Sequence, residues 1–261
     1  MKRRISCLLL ALALIMGLLP AVQAADGPGG LDMTVSEAGV AWVKEFEGFA
    51  ATAYQDGALW YIGYGVRCEA GQYPNGISEQ EADAMLREHL QEAADALNPF
   101  LEKIGFTPNQ AQFDALASFT FNVGTGWMWI DSKLEKLLTE GFTAQDEAKI
   151  VHAFGIWCHQ NGEVHPVLVR RRLTEACAFL YGDYDATRIN EFVYLELDKT
   201  DCKVENDIVF YKKGTTYGAL PTAEREGYTF YGWQTEAGER LNELQIATEN
   251  LKVSPIWTEP E

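Results

Sequence analysis

The hydrophobic and polar positions change period along the chain, and the changes divide it. From Ser36, Val40, Val43 and Phe46 recur three residues apart, which predicts a helix with Ser36 as its N-cap and Gly48 as a stop just past Glu47. Residues 53–64 alternate loosely around Asp56-Gly57, a hairpin turn signal. From Ser78 the helical period returns. Ser78 and Glu81 form a capping box, and Met85, Leu86, Leu90, Ala94 and Leu97 line one face. Thr107-Pro108-Asn109-Gln110 opens another helix, with Pro108 expected at the first helical position, and leads into AQFDALASFTFNVG. Further helical segments are expected around 132–138, 144–154 and 169–181. At GDYDAT the pattern switches to short β-rich runs, FVYLELD, DIVFYKK and YTFYGW, separated by turn residues. The fold class is therefore α+β, with segregated strands: one helix and a hairpin before a mostly helical body, then a small β-rich module. The boundaries read as a flexible leader over 25–31, a main domain over 32–184, a linker over 185–190 and the module over 191–261. A chain ending near Asp185 is expected to fold by itself.

The first 24 residues stand apart. Lys2, Arg3 and Arg4 precede the apolar run CLLLALALIMGLL, and Val22 and Ala24 end it with small residues. This is the pattern of a secretory signal peptide cleaved after Ala24. It implies a secreted or cell-wall-associated protein without a stable membrane anchor, since no later stretch is long and apolar enough to span a bilayer. Removing the leader leaves 18 basic against 38 acidic residues, a net charge of −20. Such a surface repels polyanions and excludes nucleic acid as a partner.

Four cysteines remain, Cys68, Cys158, Cys177 and Cys202. An even count in an exported chain suggests disulfides, with three pairings open. His152, Cys158, His159 and His165 fit no standard ligand spacing, so neither metal nor cofactor is expected.

Two carboxylates carry candidate chemistry. Glu47 falls at the carbonyl end of its helix, flanked by Phe46 and Phe49, where the dipole and partial burial favour the protonated acid. Asp56 sits beside a polar turn and should stay ionised. Unlike carboxylates of this kind can cleave a glycosidic bond. The plainer alternative is two surface charges paired with Lys44 or Arg67.

The run EGFAATAYQD followed by WYIGYG resembles the phage-type lysozymes of the T4 and lambdoid endolysin kind, glycoside hydrolase family 24. ISEQEADAMLREHL, TPNQAQFDALASFTFNVG and LVRRRLTEACAFLYGDY continue the likeness in order, so that it covers roughly residues 31–184. The resemblance implies a two-lobed lysozyme-like domain, with the cleft between a hairpin lobe and a helical lobe. It implies Glu47 as the catalytic acid and Asp56 as the second carboxylate. Trp60, Tyr61, Tyr64, Asn122 and Arg171 would contact substrate. Trp127, Trp129 and Trp157 could also stack on sugars or fill the core. The arginines Arg170 to Arg172 could equally pair with this chain's own acids. The resemblance also implies a Cys68–Cys158 disulfide across the cleft, leaving Cys177 and Cys202 to pair at the domain junction.

Two departures stand out. Tyr61 and Val66 replace the family's Thr and His around IGYG, and the segment before IGYG is one residue short. The shortening would turn Tyr61 to the opposite strand face. Water placement would then fall to Asp56 alone or to a polar group of the helical lobe.

Residues 191–258, with VFYKKGTTYGALPTAEREGYTFYGW and a closing PIW, resemble the listerial internalin-type B-repeat, a small β-grasp-like module of bacterial surface proteins. The resemblance implies an adhesion or spacing role with a wall or surface ligand. The joint expectation is a monomeric bacteriolytic muramidase acting on peptidoglycan. A lytic transglycosylase on the same scaffold and an inactive wall-binding protein are the alternatives.

Overall fold

The computed structural model describes residues 30–259, so the expected signal peptide and most of the leader lie outside the described residues. The chain divides into two compact units, meeting between Gly141 and Phe142.

The first unit opens with helix α1 (Glu37–Glu47). The Ser36 hydroxyl accepts a hydrogen bond from the Gly39 amide, and Gly48 ends the helix at φ +66°. Only glycine reaches this backbone region without strain. Three antiparallel strands follow, β1 (Ala50–Asp56), β2 (Leu59–Gly63) and β3 (Val66–Cys68), in that spatial order. Helix α2 (Glu79–Ile104) begins with the expected Ser78–Glu81 capping box. Lys103 lies in its last turn, which Gly105 closes in the left-handed region.

Helix α3 (Gln110–Val123) starts two residues later than the proline suggested. Asn109, not Thr107, is the cap. Its side chain accepts from the Gln112 amide, and Gln112 reaches back to the Asn109 amide. This reciprocal bonding leaves Pro108 outside the helix. Helix α4 (Lys133–Glu140) is capped by Ser132. Buried Asp114 of α3 binds the Ser36 amide and hydroxyl and accepts from Gln110, so that α3 grips the start of α1. A Cβ on Gly39 would lie 2.7 Å from Asp114 Cγ, which explains glycine there.

The second unit contains α5 (Glu147–Gly155), a short hairpin β4 (His159–Gln160) and β5 (Glu163–Val164), and α6 (Pro166–Tyr181). It also contains the strands β6 (Phe192–Leu197), β7 (Ile208–Lys212), β8 (Thr229–Thr235) and β9 (Leu251–Thr258). Their sheet runs β7-β6-β9-β8. The β6–β9 pair is parallel, and the other two neighbour pairs are antiparallel. Trp233, Leu195 and Val253 fill its own core, and the Trp233 indole donates to the Pro221 carbonyl at 2.6 Å.

This sheet is packed on α5. Phe210 of β7 lies where a Cβ on Gly155 would be, 2.2 Å away. Lys212 pairs with Glu147 at the start of α5 and, through that hydrogen bond, holds the Glu147 carboxyl below its usual range. His159 and Lys199 both bind Asp207 at 2.6 Å, and Lys199 also donates to the Gly162 carbonyl. Burial alone would raise the Asp207 carboxyl, but Lys199 and His159 together hold it low.

The disulfides expected from the resemblance are absent. The four cysteines among the described residues are free thiols. A bridge needs Cβ atoms within about 4.5 Å. Cys158 and Cys177 are instead fully enclosed, their thiols pushed up to about 12 by burial. Cys202 turns its thiol onto the Asp198 carbonyl of its own loop at 3.4 Å. Cys68 is likewise buried, on β3. Among the described residues no group of three or more His, Cys, Asp or Glu could hold a metal ion. Among them, too, no helix is long and apolar enough to cross a membrane.

Candidate active site

The carboxylates predicted from the sequence both lie in the first unit. Glu47 is the last residue of α1 and only 5% exposed. Two residues later β1 begins, and Asp56 ends that strand, half-buried. Gly57 then takes φ +60° as the first of two turn residues, so Asp56 and Leu59 pair directly across the hairpin. Glycine at the first turn position matches the twist of a two-residue hairpin.

Lys44 bridges to Asp83 of α2, which also binds Arg87, and Arg87 clasps Glu37 of α1 with two bonds of 2.7 and 2.6 Å. This network ties α1 to α2. Arg67 forms no salt bridge with any described residue, so Asp56 is not neutralised by it.

Register decides which side chains share a surface. Cross-strand partners lie on one side of a sheet, and successive residues alternate. The partners are Tyr54 with Tyr61, Asp56 with Leu59, and Tyr61 with Arg67. Tyr54, Asp56, Leu59, Tyr61 and Arg67 therefore occupy one face. Tyr61 is not turned away by the short segment, because the two-residue turn keeps its alternation in step with Asp56. Its ring lies 5.9 Å from that of Tyr54. Burial, then the charge of Asp56, raises the Tyr61 phenol above its usual range, while Arg67 opposes the shift. The phenol thus stays protonated beside an acidic neighbour.

Trp60 belongs to the other face, paired with Gln55 and Cys68. Tyr64 was expected from the resemblance to contact substrate. It is buried in the turn after β2, donates to Glu79 at 2.9 Å and lies under Lys44, 5.3 Å from its ring centre. Burial, reinforced by that bond, pushes its phenol up to about 12. Tyr64 is a strut between the hairpin and α2. Phe49, 42% exposed, rests against its ring at 5.7 Å.

Asn122 is half-buried in the last turn of α3, two residues before Gly124, which ends the helix at φ +78°. Arg171 lies in the second unit, nearly buried, with Nε 3.1 Å from Glu175. Fully buried Arg172 joins the same carboxylate at 2.8 Å. Arg171 and Arg172 thus share a buried carboxylate, while Arg170 of the same helix is exposed. Trp127 is fully buried against Phe100 and Phe119, whereas Trp129 is 60% exposed. Sequence reasoning missed Arg67 and Tyr54 as members of the Asp56 face. The alternation of EGFAATAYQD held a signal for Tyr54. Strand β3, three residues long, is too short to announce itself.

Comparison with known proteins gives a consistent picture. The family model described as Phage lysozyme matches residues 44–175. The endolysin of Bacillus phage B103 is 35% identical over 154 residues, which are 58% of this chain and 56% of that protein. The chain thus spans little more than half the length of that relative, and the same share of the Bacillus phage PZA endolysin. The endolysin of Acyrthosiphon pisum secondary endosymbiont phage 1 is 30% identical over 152 residues, 56% of this chain and 98% of its own length. Among solved structures, the muramidase domain of SpmX from Asticaccaulis excentricus is 31% identical, with a TM-score of 0.48. That alignment covers 57% of this chain and 99% of the domain.

Proposed function

The chain belongs to the phage lysozyme family, and from that premise we propose that it is an exported muramidase that hydrolyses peptidoglycan. The bond cut is the β-1,4 linkage between N-acetylmuramic acid and N-acetylglucosamine. The carrying observation is the pairing of a carboxyl buried at the carbonyl end of α1, Glu47, with a half-buried one at the hairpin turn, Asp56. Carboxylates in unlike environments divide the acid and base tasks. Glu47 gives its proton to the glycosidic oxygen, which leaves as an alcohol. Asp56 directs water to the sugar carbon and receives the water's proton. The reaction needs these two groups and a water. The signal-like leader supports export, and the resemblance of residues 191–258 to an internalin-type B-repeat supports a wall or surface ligand for the β-rich sheet.

Mass analysis of purified peptidoglycan digested by the protein tests this reading. Hydrolysis leaves reducing muramic acid ends. Products lighter by one water would assign a lytic transglycosylase instead. A protein that binds the wall and releases nothing would be a binding module.

The roles within the Asp56 face are separable. Asp56→Ala should lower the turnover rate by about 10²–10³-fold, the usual effect of losing a group that acts at the transition state. Tyr61→Phe keeps the ring against Tyr54 and should retain most activity, since the phenol makes no hydrogen bond with a described residue. Steady-state rates of both variants on soluble glycan strands check this. A Tyr61→Phe enzyme as slow as Asp56→Ala would give the phenol hydroxyl a direct part.

A further inference from the structure

We propose that Arg67 is a substrate-binding residue that holds a carboxylate of the peptide stem carried by the glycan chain cut at Asp56. The inference rests on the muramidase reading and adds what the site recognises beyond sugar.

Three observations lead to it. Arg67 is paired with Tyr61 in the β2–β3 register, and Tyr61 is paired with Tyr54, so all three lie on the face that bears Asp56. Arg67 is exposed and makes no salt bridge with a described residue, although the chain carries 38 acidic residues and 21 basic ones. Lys44 of α1 and Arg87 of α2 are by contrast spent, Lys44 on Asp83, and Arg87 on Asp83 and Glu37. What sets Arg67 apart is its place, a cation left open on the face that bears Asp56. Its charge is felt at Tyr61, between it and Asp56.

The spacing suits the role. Asp56 and Arg67 are two strands apart across the sheet and two residues apart along it, roughly 12 Å between Cα atoms from ordinary strand spacings. Arg67 therefore does not quench Asp56. It can reach a group hanging from a chain bound at Asp56. Peptidoglycan stems end in and branch through carboxylates, and a guanidinium binds a carboxylate with two parallel hydrogen bonds. The repulsion between a strongly acidic enzyme and an acidic polymer makes one such contact useful for orientation.

The test compares wild type, Arg67→Ala and Arg67→Lys on two substrates: native peptidoglycan, and the same material with its carboxylates converted to amides. On native wall, Arg67→Ala should raise KM about tenfold with kcat little changed, the sign of lost uniform binding. Arg67→Lys should recover part of the loss. On amidated wall, wild type and Arg67→Ala should be equal. An Arg67→Ala defect of the same size on both substrates, or none on native wall, overturns the proposal. Co-sedimentation of Glu47→Gln and Glu47→Gln/Arg67→Ala proteins with both walls gives a readout free of catalysis. If the wild type releases no fragments, the hydrolase reading falls, and co-sedimentation still decides the ligand of Arg67. Arg67 is exposed, and a thermal melt matching wild type excludes misfolding as the cause.

Discussion

Replacing Glu47 with glutamine is expected to slow peptidoglycan cleavage by about 10²–10⁴-fold, the range that general acid catalysis contributes. Glutamine is nearly isosteric with the acid, so the packing around a side chain only 5% exposed is kept. What is lost is the transferable proton. The leaving alkoxide would then depart unprotonated, which raises the barrier by several kcal/mol at the rates stated. Alanine would be a poorer probe, because it would also open a void at the end of α1. The measurement is the clearing rate of a peptidoglycan suspension, with circular dichroism and wall binding as controls. A folded Glu47→Gln protein that clears at the wild-type rate would remove Glu47 from the acid role, and the proposed mechanism with it.

The second large effect concerns stability. A chain ending at Asp185 should be markedly less stable than the full chain, against the expectation from the change of period at GDYDAT. The reason is the seat of the β-rich sheet on α5. Phe210, 3% exposed, fills the notch left by Gly155, and Lys212, Lys199 and Asp207 bind Glu147, Gly162 and His159. Removing the sheet uncovers apolar surface on α5 and strands these groups. The single change Phe210→Ala isolates the apolar part and should cost about 3–5 kcal/mol, the usual loss for truncating a buried aromatic. Urea unfolding of the three proteins measures both effects. A shortened chain with an unchanged midpoint would show that α5 and α6 stand without the sheet.

The same region shows what a change of pattern does and does not report. Periodicity reports the local conformation of a segment, and it correctly separates α6 from β6. It contains nothing about which face of β7 meets which helix. The notch at Gly155 could be recognised as a seat only once Phe210 was seen in it.

What the sequence determined by itself was local. Ser36 caps α1, Ser78 and Glu81 cap α2, and Gly48 ends α1 beside Glu47. These signals act between residues within four positions of each other, so a single stretch contains both partners. The two carboxylates, their motif and the family were legible for the same reason. The tertiary structure decided what depends on distant partners. It kept Tyr61 on the Asp56 face and sent Trp60 to the other, a choice that a one-residue slip in register would reverse. It joined β6 to β9 in parallel across more than fifty residues, left the four described thiols free, and brought Tyr64 to Glu79 and Arg171 to Glu175. Strand pairing and burial are settled by groups far apart in the chain, and their outcome is written in no single segment.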